Sequence, residues 1–417
     1  MLKKHFTILL LLVIMTFGAF AQSIPSGTAR YEALGYNPFI MDAATDINRN
    51  PAWGGMYRNY GFGDLGRATG ESSDFYLDDQ YIGVNFGLGK KFNAGLILNK
   101  NKGMIFSGLF NAEGRFNSLG ISNPIVPLEV LFGYTSTNKK LHIGLAPYYA
   151  SWSKDSTTSG VLTERTSSTL GGTLGVISIM KNGWVEGNVD FRMNSFKFAD
   201  TSATYKNDGG MELGVGLRAF LMVNKPNKIN FVPYASFNMV SWQPNYTPVD
   251  PTGHDYKWSN FAFGVGLNMP VLDNGLLAGG LSFALSSYED NATANDPETG
   301  ITYDYKVTQM SLPQFNFGLE WGFADWFTGR AGYSRSVINQ KVTFTSTSGG
   351  TSTTSEIKEM LASNPDQTIT LGVGFHFNRF SLEGTMGEKF FQRGPYILSG
   401  HGTDMFGILS ASYNFNK

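Results

Sequence analysis

The sequence predicts an all-β protein, a transmembrane antiparallel up-and-down β-barrel preceded by a short N-terminal segment. Three observations support this prediction. Apolar and polar residues alternate with a period of two in one segment after another. After the N-terminus, no stretch offers the eighteen unbroken apolar residues expected of a membrane-spanning helix. The chain is rich in glycine (50 of 417 residues) and in aromatics (14%), whereas only 16% of residues are charged, against about 25% in soluble domains.

The first residues have the features of an export signal. Lys3 and Lys4 precede an apolar run from Ile8 to Phe20, and Ala19-Phe20-Ala21 matches the small-x-small cleavage pattern. We therefore expect residues 1–21 to be a cleaved signal peptide. The alternative, a membrane anchor, would need about 20 apolar residues, which is longer than this run.

The period-two alternation is clearest at residues 368–377. One face carries Ile369, Leu371, Val373, Phe375 and Phe377, and the other carries Thr368, Thr370, Gly372, Gly374 and His376. Successive side chains of a strand point to opposite faces, so such a segment has one apolar side and one polar or small side. Residues 81–89, 211–218 and 261–269 repeat the pattern. A soluble β-sandwich also alternates, but a polar face of Gly, Ser, Thr and Asn is typical of a barrel lumen.

The turns between these segments predict the number of strands. Short turns occur near Lys90, Asn138, Lys181, Lys225, Asp273, Ala324 and Asn378. Seven short turns imply seven hairpins, to which we add a C-terminal strand at about 404–415 and a first strand between about 56 and 66. The sequence therefore predicts about 16 strands, with 14 as the alternative if one hairpin is misassigned. Short turns are expected on the periplasmic side of a bacterial barrel and long loops on the outside.

Long polar stretches lie between the short turns and are predicted to be loops: 153–165, 245–257, 289–302 and 345–366. The last of them includes Ser355 to Leu361, predicted to be a short loop helix with Ser355 as its cap. Strands such as 141–155 and 303–322 are expected to extend outward as a rim. The final strand ends in alternating aromatics, Tyr413 and Phe415, and resembles the C-terminal signal read by the barrel-assembly machinery.

Charged residues on the polar faces are candidates for the lumen wall. At residues 184–194, Glu186, Asp190 and Arg192 alternate with apolar residues. A charge facing lipid near the bilayer midplane would cost about 2–4 kcal/mol, so these side chains should point inward. The lumen-facing binding candidates are Glu186, Asp190, Arg192, Glu212, Arg218, Glu320 and Arg330. Their mixed signs favour an internal salt-bridge network over a ring of one sign, and a substrate pathway is the alternative.

The sequence offers little for catalysis or cofactor binding. It contains no HExxH, GxSxG or Walker motif and no cysteine. His142 and His376 each stand alone on a polar strand face, and His254 and His401 fall in predicted loops. We therefore expect no enzyme activity, no cofactor and no metal site. The net charge of −1 gives no basic bias toward nucleic acid.

Residues 22–55 do not alternate and carry a distinct pattern. They contain Ala33-Leu34-Gly35, the acidic stretch Asp42-Ala43-Ala44-Thr45-Asp46, and Asn50-Pro51-Ala52-Trp53. This pattern resembles the N-terminal signature of the FadL-like outer-membrane family, the long-chain fatty-acid transporters and their relatives, which include PorV-like barrels of Bacteroidetes. The resemblance implies a barrel, residues 56–417, in the outer membrane of a Gram-negative bacterium, with residues 22–55 as a short N-terminal plug-like segment that is periplasmic or folds into the lumen. It assigns Asn50, Pro51 and Ala52 to the plug.

The expected function is passive transport of a small hydrophobic or amphipathic compound. The alternative is a structural or partner-binding barrel of a secretion or surface-assembly system. An open porin would tend to carry charges of one sign at its constriction, which the mixed signs disfavour. The aromatics Trp152, Trp242, Tyr246 and Trp258 fall in predicted loops, where we expect an interfacial girdle rather than a binding site. The expected partners are outer-membrane lipid, the barrel-assembly machinery during biogenesis and a small hydrophobic ligand.

Overall fold

The structure is a computed structural model that describes most of the chain. The described residues are 29–68, 75–76, 80–100, 121, 126–158, 161–201, 204–247, 254–272, 274–292, 301–348, 351–361, 368–386 and 406–415. The predicted signal peptide, residues 22–28 and His401 lie outside them.

The described chain consists of three short helices followed by a β-sheet. The helices are α1 (Ala29–Ala33), α2 (Ala43–Arg49) and a 3-10 helix (Pro51–Gly55). The strands are β1 (Tyr60–Ala68), β2 (Phe75–Tyr76), β3 (Tyr81–Leu88), β4 (Phe92–Lys100), β5 (Val126–Thr135), β6 (Leu141–Thr158), β7 (Val161–Met180), β8 (Gly183–Ala199), β9 (Thr204–Asn224), β10 (Ile229–Thr247), β11 (His254–Val271), β12 (Gly275–Ala292), β13 (Ile301–Ala324), β14 (Phe327–Ser348), β15 (Thr351–Leu361), β16 (Thr368–Phe377), β17 (Phe380–Met386) and β18 (Phe406–Asn414).

The sheet closes on itself. Tyr60 of β1 lies opposite Asn414 of β18 on one side and Asn85 of β3 on the other, and every pairing is antiparallel. Of the eighteen strands, β2 is a two-residue addition to β1. β15 pairs with the outer part of β14, whose inner part pairs with β16, so β15 and β16 share one position in the wall. The wall therefore has the sixteen strands predicted from the sequence, and the fourteen-strand alternative is wrong. Among the described residues, closure leaves no unpaired sheet edge in the inner part of the wall, where β14 pairs with β16, as an apolar solvent requires.

The two faces of the wall have opposite character. Along β8, Glu186 is 3% exposed and Arg192 is 7% exposed, whereas Phe191 and Met193 between and beyond them are 41% and 55% exposed. In this part of β8 the side chains that face outward are therefore apolar, and the charged ones face the lumen.

The described residues of the long polar stretches are strand rather than loop, which corrects the prediction for these residues. Residues 153–158 belong to β6 and 161–165 to β7, and they continue the same antiparallel ladder, with Asp155 opposite Glu164. The described residues of the other three stretches likewise belong to β10 to β15. Along 153–158 and 351–360 both faces of the extended strand are exposed or half-buried, so alternation is lost and backbone pairing stabilises the strand. In the other two stretches, Tyr256 and Asp290 are buried. His254, predicted in a loop, is the first residue of β11.

The predicted loop helix at Ser355 to Leu361 is also wrong. These residues form the second half of β15, with Ser355 opposite Phe344 and Leu361 opposite Ile338. A seven-residue helix is marginal on its own, whereas the ladder with β14 pairs the backbone along the whole strand. In the described part of the chain, no helix has the length and apolarity needed to cross a membrane.

The short helices at the N-terminus have local sequence causes. Asp42 caps α2, where its carboxylate accepts a hydrogen bond from the backbone N–H of Thr45 at 2.9 Å. Asn50 caps the 3-10 helix by accepting from the N–H of Ala52 at 3.1 Å, and Pro51 occupies the first helical position. Between α1 and α2, Gly35 has a φ of +76°, which glycine adopts readily.

Candidate functional site

Residues 29–55, here called the lumen segment, pass through the barrel interior. The segment contacts lumen-facing residues on strands all around the wall. Near its start, the N–H of Ala29 donates to Ser410 Oγ of β18 at 2.7 Å, and Asn316 Nδ2 of β13 donates to the carbonyl of Gly35 at 3.2 Å. Near its end, Asn85 Nδ2 of β3 donates to the carbonyl of Gly54 at 2.8 Å. The segment therefore spans the lumen cross-section.

The contacts of the lumen segment with charged wall residues lie at one end of the barrel. Glu186, which pairs with Arg49 of the segment, comes shortly after the turn at 181–182. Glu320, which pairs with Arg30 of the segment, and its neighbour Arg330 flank the turn at 325–326. The lumen segment thus occupies the end that carries the short turns and the start of β1.

The Asn50-Pro51-Ala52 motif docks on two wall glycines. A Cβ added to Gly144 of β6 would lie 2.2 Å from the carbonyl carbon of Pro51, and one added to Gly175 of β7 would lie 1.8 Å from Asn50 Oδ1. Any side chain at either position would collide with the segment. Asn50 Nδ2 donates to Glu186 Oε2 at 3.2 Å, which ties the motif to the neighbouring strand.

Glu186 of β8 is the centre of a buried charge cluster, here called the Glu186 cluster. Its Oε1 accepts from Arg218 Nε of β9 at 2.5 Å and from Arg49 Nη2 of α2 at 2.8 Å, and its Oε2 accepts from Trp53 Nε1 at 2.5 Å. Asp46 accepts from both arginines, at 2.7 Å from Arg218 and 2.9 Å from Arg49. The four charges sum to zero.

Arg218 also orients the backbone of the lumen segment. Its Nη1 donates to the carbonyls of Ile40 at 2.7 Å and Pro38 at 3.2 Å. One guanidinium therefore holds the wall, the α1–α2 connection and α2 together, using the fixed fork of donors that distinguishes arginine from lysine.

A second charge cluster joins the lumen segment to a different sector of the wall. Glu320 of β13 accepts from Arg30 Nε at 2.8 Å and from its cross-strand neighbour Arg330 Nε at 2.6 Å. Arg330 also donates to Glu383 of β17 at 3.2 Å, and Arg30 Nη1 donates to the carbonyl of Met41 at 2.5 Å. Arginines of the segment thus meet wall carboxylates in two separate sectors.

The remaining predicted lumen charges form a third cluster that does not touch the lumen segment in any described contact. Arg192 Nε donates to Asp190 Oδ2 at 2.8 Å, and Arg192 Nη1 donates to Glu212 Oε2 at 3.4 Å. Asn194 Nδ2 donates to Glu212 Oε1 at 2.5 Å, and Thr173 Oγ1 donates to Asp190 Oδ1 at 2.7 Å. This cluster lies further along β8 from the short turn than Glu186 does.

The predicted site residues thus fall into three groups rather than one. Arg30, Asp46 and Arg49 are the partners that sequence reasoning missed. No local signal joins Arg30 to Glu320, because 290 positions separate them.

A cavity of about 300 Å³ opens between the lumen segment and the wall. Its floor includes Tyr31, Tyr36 and Arg49, and its wall comes from β8 to β13. Glu186 and Arg218 border it, so the cavity adjoins the Glu186 cluster.

Beyond this cavity, aromatic side chains pack inside the barrel. Phe196 of β8 and Trp242 of β10 are buried and stack with their ring centroids 5.2 Å apart. Tyr256, Val240 and Ile121 complete the buried group, and Trp152, Phe198, Trp258 and Tyr288 pack against it. Trp152, Trp242 and Trp258 therefore lie in strands and face the lumen, not in loops as predicted. The Tyr246 backbone is in β10, and its side chain lies outside the described part.

The two described strand histidines inside the barrel have hydroxyl partners. His142 Nδ1 lies 3.0 Å from Thr135 Oγ1, next to the 3-10 helix. His376 lies 3.2 Å from Thr328 Oγ1 through Nε2 and 3.1 Å from Ser381 Oγ through Nδ1. Neither histidine has a described contact with the Glu186 cluster.

Comparisons with known proteins identify solved barrels at low identity. The P. putida toluene transporter TodX is 9% identical, with 94% of this chain and 100% of TodX covered and a TM-score of 0.38. The CymD monoaromatic hydrocarbon channel is also 9% identical, with coverages of 96% and 100% and a TM-score of 0.38. BauA, the ferric preacinetobactin receptor from Acinetobacter baumannii, is 9% identical, with coverages of 85% and 79% and a TM-score of 0.35. At these TM-scores the likenesses carry no argument about function.

No protein-family model and no curated protein sequence matches the chain. The architecture rests on the strand pairing of this chain itself.

Proposed function

We propose that the protein is a barrel of the Gram-negative outer membrane that passes a small amphipathic compound, with residues 22–55 as a plug at its periplasmic end. One observation carries the proposal. The lumen segment is bound to the wall through two charge clusters in different sectors, and a cavity of about 300 Å³ adjoins it.

The membrane location is supported by the outward face. Phe191, Met193 and Leu174 are between 41% and 55% exposed on β7 and β8, whereas Glu186, Asp190 and Arg192 of β8 are buried on the lumen side. A row of exposed apolar side chains around a closed wall is stable against hydrocarbon and unfavourable against water.

The mixed lining of the cavity favours an amphipathic compound over a purely hydrophobic one. Tyr31, Tyr36 and Tyr234 provide apolar ring faces, and Asn188 and Asn260 provide polar groups. The proposal assigns no catalytic role to the chain and no cofactor.

Deleting residues 22–50 tests the plug. Without them, Glu186 keeps its cross-strand partner Arg218, and Glu320 keeps Arg330, so the wall charges remain paired and the barrel should fold. We expect the stepwise conductance in planar lipid bilayers to rise severalfold relative to the full mature chain. A heat-modifiable band in SDS gels serves as the control for folding. Unchanged conductance in a folded deletion variant would contradict the assignment of residues 22–55 as a plug.

A second candidate function is a partner-binding barrel of a secretion or surface-assembly system. The observation that favours it is β15, whose described pairing is with β14 alone and whose side chains Ile357 and Met360 are 62% and 66% exposed. Such an edge is suited to pairing with another protein. Purification from solubilised outer membrane separates the two functions: a stoichiometric protein partner favours the second, and a small molecule retained in the lumen favours the first.

A further inference from the structure

The cavity exists because a row of small side chains crosses the wall. Gly216 of β9 lies opposite Ser236 of β10, Ser236 lies opposite Ala262 of β11, and Ala262 lies opposite Ala284 of β12. All four line the cavity. Larger residues in this row would fill the space above the lumen segment. The cavity therefore depends on small residues at the lumen-facing positions of four neighbouring strands.

Two side-chain amides at the borders of this row have unused hydrogen-bonding atoms. Asn188 Nδ2 and Asn260 Oδ1 are buried without a hydrogen-bond partner among the described residues, and both side chains line the cavity. Their residues are 7% and 6% exposed. Because an unsatisfied buried polar group is unfavourable, a group left this way in a native lumen needs an explanation. A ligand that supplies both an acceptor and a donor would satisfy the two amides together.

The charges at the cavity do not call for an ion. Arg49 and Arg218 are neutralised by Glu186 and Asp46 through four contacts of 2.5 to 2.9 Å. An anionic or cationic ligand would have to compete with these pairs, whereas a neutral ligand would leave them intact.

The remaining lining points to hydroxyl groups. A hydroxyl both donates and accepts, so it can serve the Asn188 amide, the Asn260 amide and the side chains of Gln314 and Asn316. The rings of Tyr31, Tyr36 and Tyr234 offer flat apolar surfaces for C–H faces. A volume of about 300 Å³ is at the small end of the roughly 300–1,000 Å³ of ligand pockets.

We propose that this cavity binds a small, neutral, polyhydroxylated molecule about the size of a monosaccharide. The inference deepens the proposed function, since it names the class of compound held in the same lumen. Asn188 and Asn260 donate to and accept from this molecule. The row of small residues, Gly216, Ser236, Ala262 and Ala284, limits the size of molecule that fits.

Binding of methyl β-glucoside tests the proposal, with toluene as the apolar probe. Titration calorimetry on the full mature chain in detergent should show saturable binding of the glucoside. Asn188→Leu and Asn260→Leu should each weaken it by about 2- to 10-fold, the range of one neutral hydrogen bond. Asn230→Leu, the same change on β10 near a short turn and outside the cavity lining, should leave the affinity unchanged.

A second pair of variants tests the size of the site. Ala284→Leu should abolish glucoside binding by filling the row. Ser286→Leu, on the same strand and face but outside the lining, should not. Heat-modifiable migration confirms that each variant folds.

The outcomes separate this inference from the proposed function. The absence of saturable glucoside binding, whether or not toluene binds, overturns the hydroxyl site, and so does glucoside binding that both Asn variants leave unchanged. Permeation of the glucoside is measured separately by swelling of proteoliposomes. Binding without permeation supports the site and contradicts transport of this class of compound. Permeation without saturable binding overturns the site and leaves transport standing.

Discussion

Glu186 shows how much of this molecule depends on single buried carboxylates. Its two oxygens accept from Arg218, Arg49, Asn50 and Trp53. Removing a carboxylate from water is unfavourable by several kcal/mol, and the interior offsets that cost only when geometry is good and the remaining lone pairs are used. Four donors from the wall and the lumen segment meet that condition.

At the residue scale, Glu186→Gln should lower the free energy of unfolding by about 3–5 kcal/mol, because it leaves two buried arginines with one carboxylate between them. The measurement is urea unfolding of the barrel in lipid vesicles. Glu164→Gln is the matched control: Glu164 pairs with Lys197 on the adjacent strand, but both side chains are more than 40% exposed. That pair should contribute about 0–1 kcal/mol. Equal losses in the two variants would contradict a special role for Glu186.

At the element scale, the position of the 3-10 helix depends on two wall residues that have no side chain. Gly144 and Gly175 leave room for the backbone of Pro51 and for the amide of Asn50. The helix is capped by Asn50 from its own sequence, but its place against β6 and β7 depends on those two missing side chains.

Gly144→Ala should therefore displace the 3-10 helix, since the new Cβ would lie 2.2 Å from the carbonyl carbon of Pro51. We expect trypsin to cut the folded barrel faster after Arg49, which is ion-paired inside the lumen in the native chain. Mass spectrometry of the digest identifies the site. Gly172→Ala is the control, because the nearest heavy atom to its Cβ would be 3.4 Å away. A Gly144→Ala protein as resistant as the native chain would refute this docking.

At the scale of the whole molecule, one closed sheet separates two environments. Apolar residues such as Val189, Phe191 and Met193 lie outward on β8, whereas the lumen side holds charges, amides and the lumen segment. Toward the outer end of β8 the outward-facing residues become polar, beginning with Ser195. The hydroxyl oxygen of Ser195 lies 2.7 Å from Ser168 Oγ on β7.

A charge placed on this outer face should report the depth of the membrane. Phe191→Arg should reduce the folding free energy in lipid vesicles by about 2–4 kcal/mol, as expected near the bilayer midplane. Ser195→Arg, further along the same face, should cost about 0–1 kcal/mol. If both arginines were equally tolerated in vesicles, the outward band would not be the lipid-facing surface.

The inward position of Glu186 and Arg218 followed from sequence, because a period of two assigns every residue of a strand to a face. Their partners in the lumen segment did not, because Arg218 meets Asp46 and Glu186 meets Arg49 across more than 100 positions of the chain. The period-two signal also failed at Ser355 to Leu361, where both faces of the strand contact water and only pairing with β14 stabilises the extended backbone.

By itself, the sequence predicted the barrel, a count of about sixteen strands with fourteen as the alternative, and the inward face of the charged residues in the strands that alternate. Each of these depends on alternation and turns, which are local and periodic. The tertiary structure alone decided where the lumen segment docks, how the charges divide into three clusters, and that four small residues line up across neighbouring strands to leave a cavity. Those features depend on strand register and on contacts between distant positions, and neither is encoded in any short stretch of the chain.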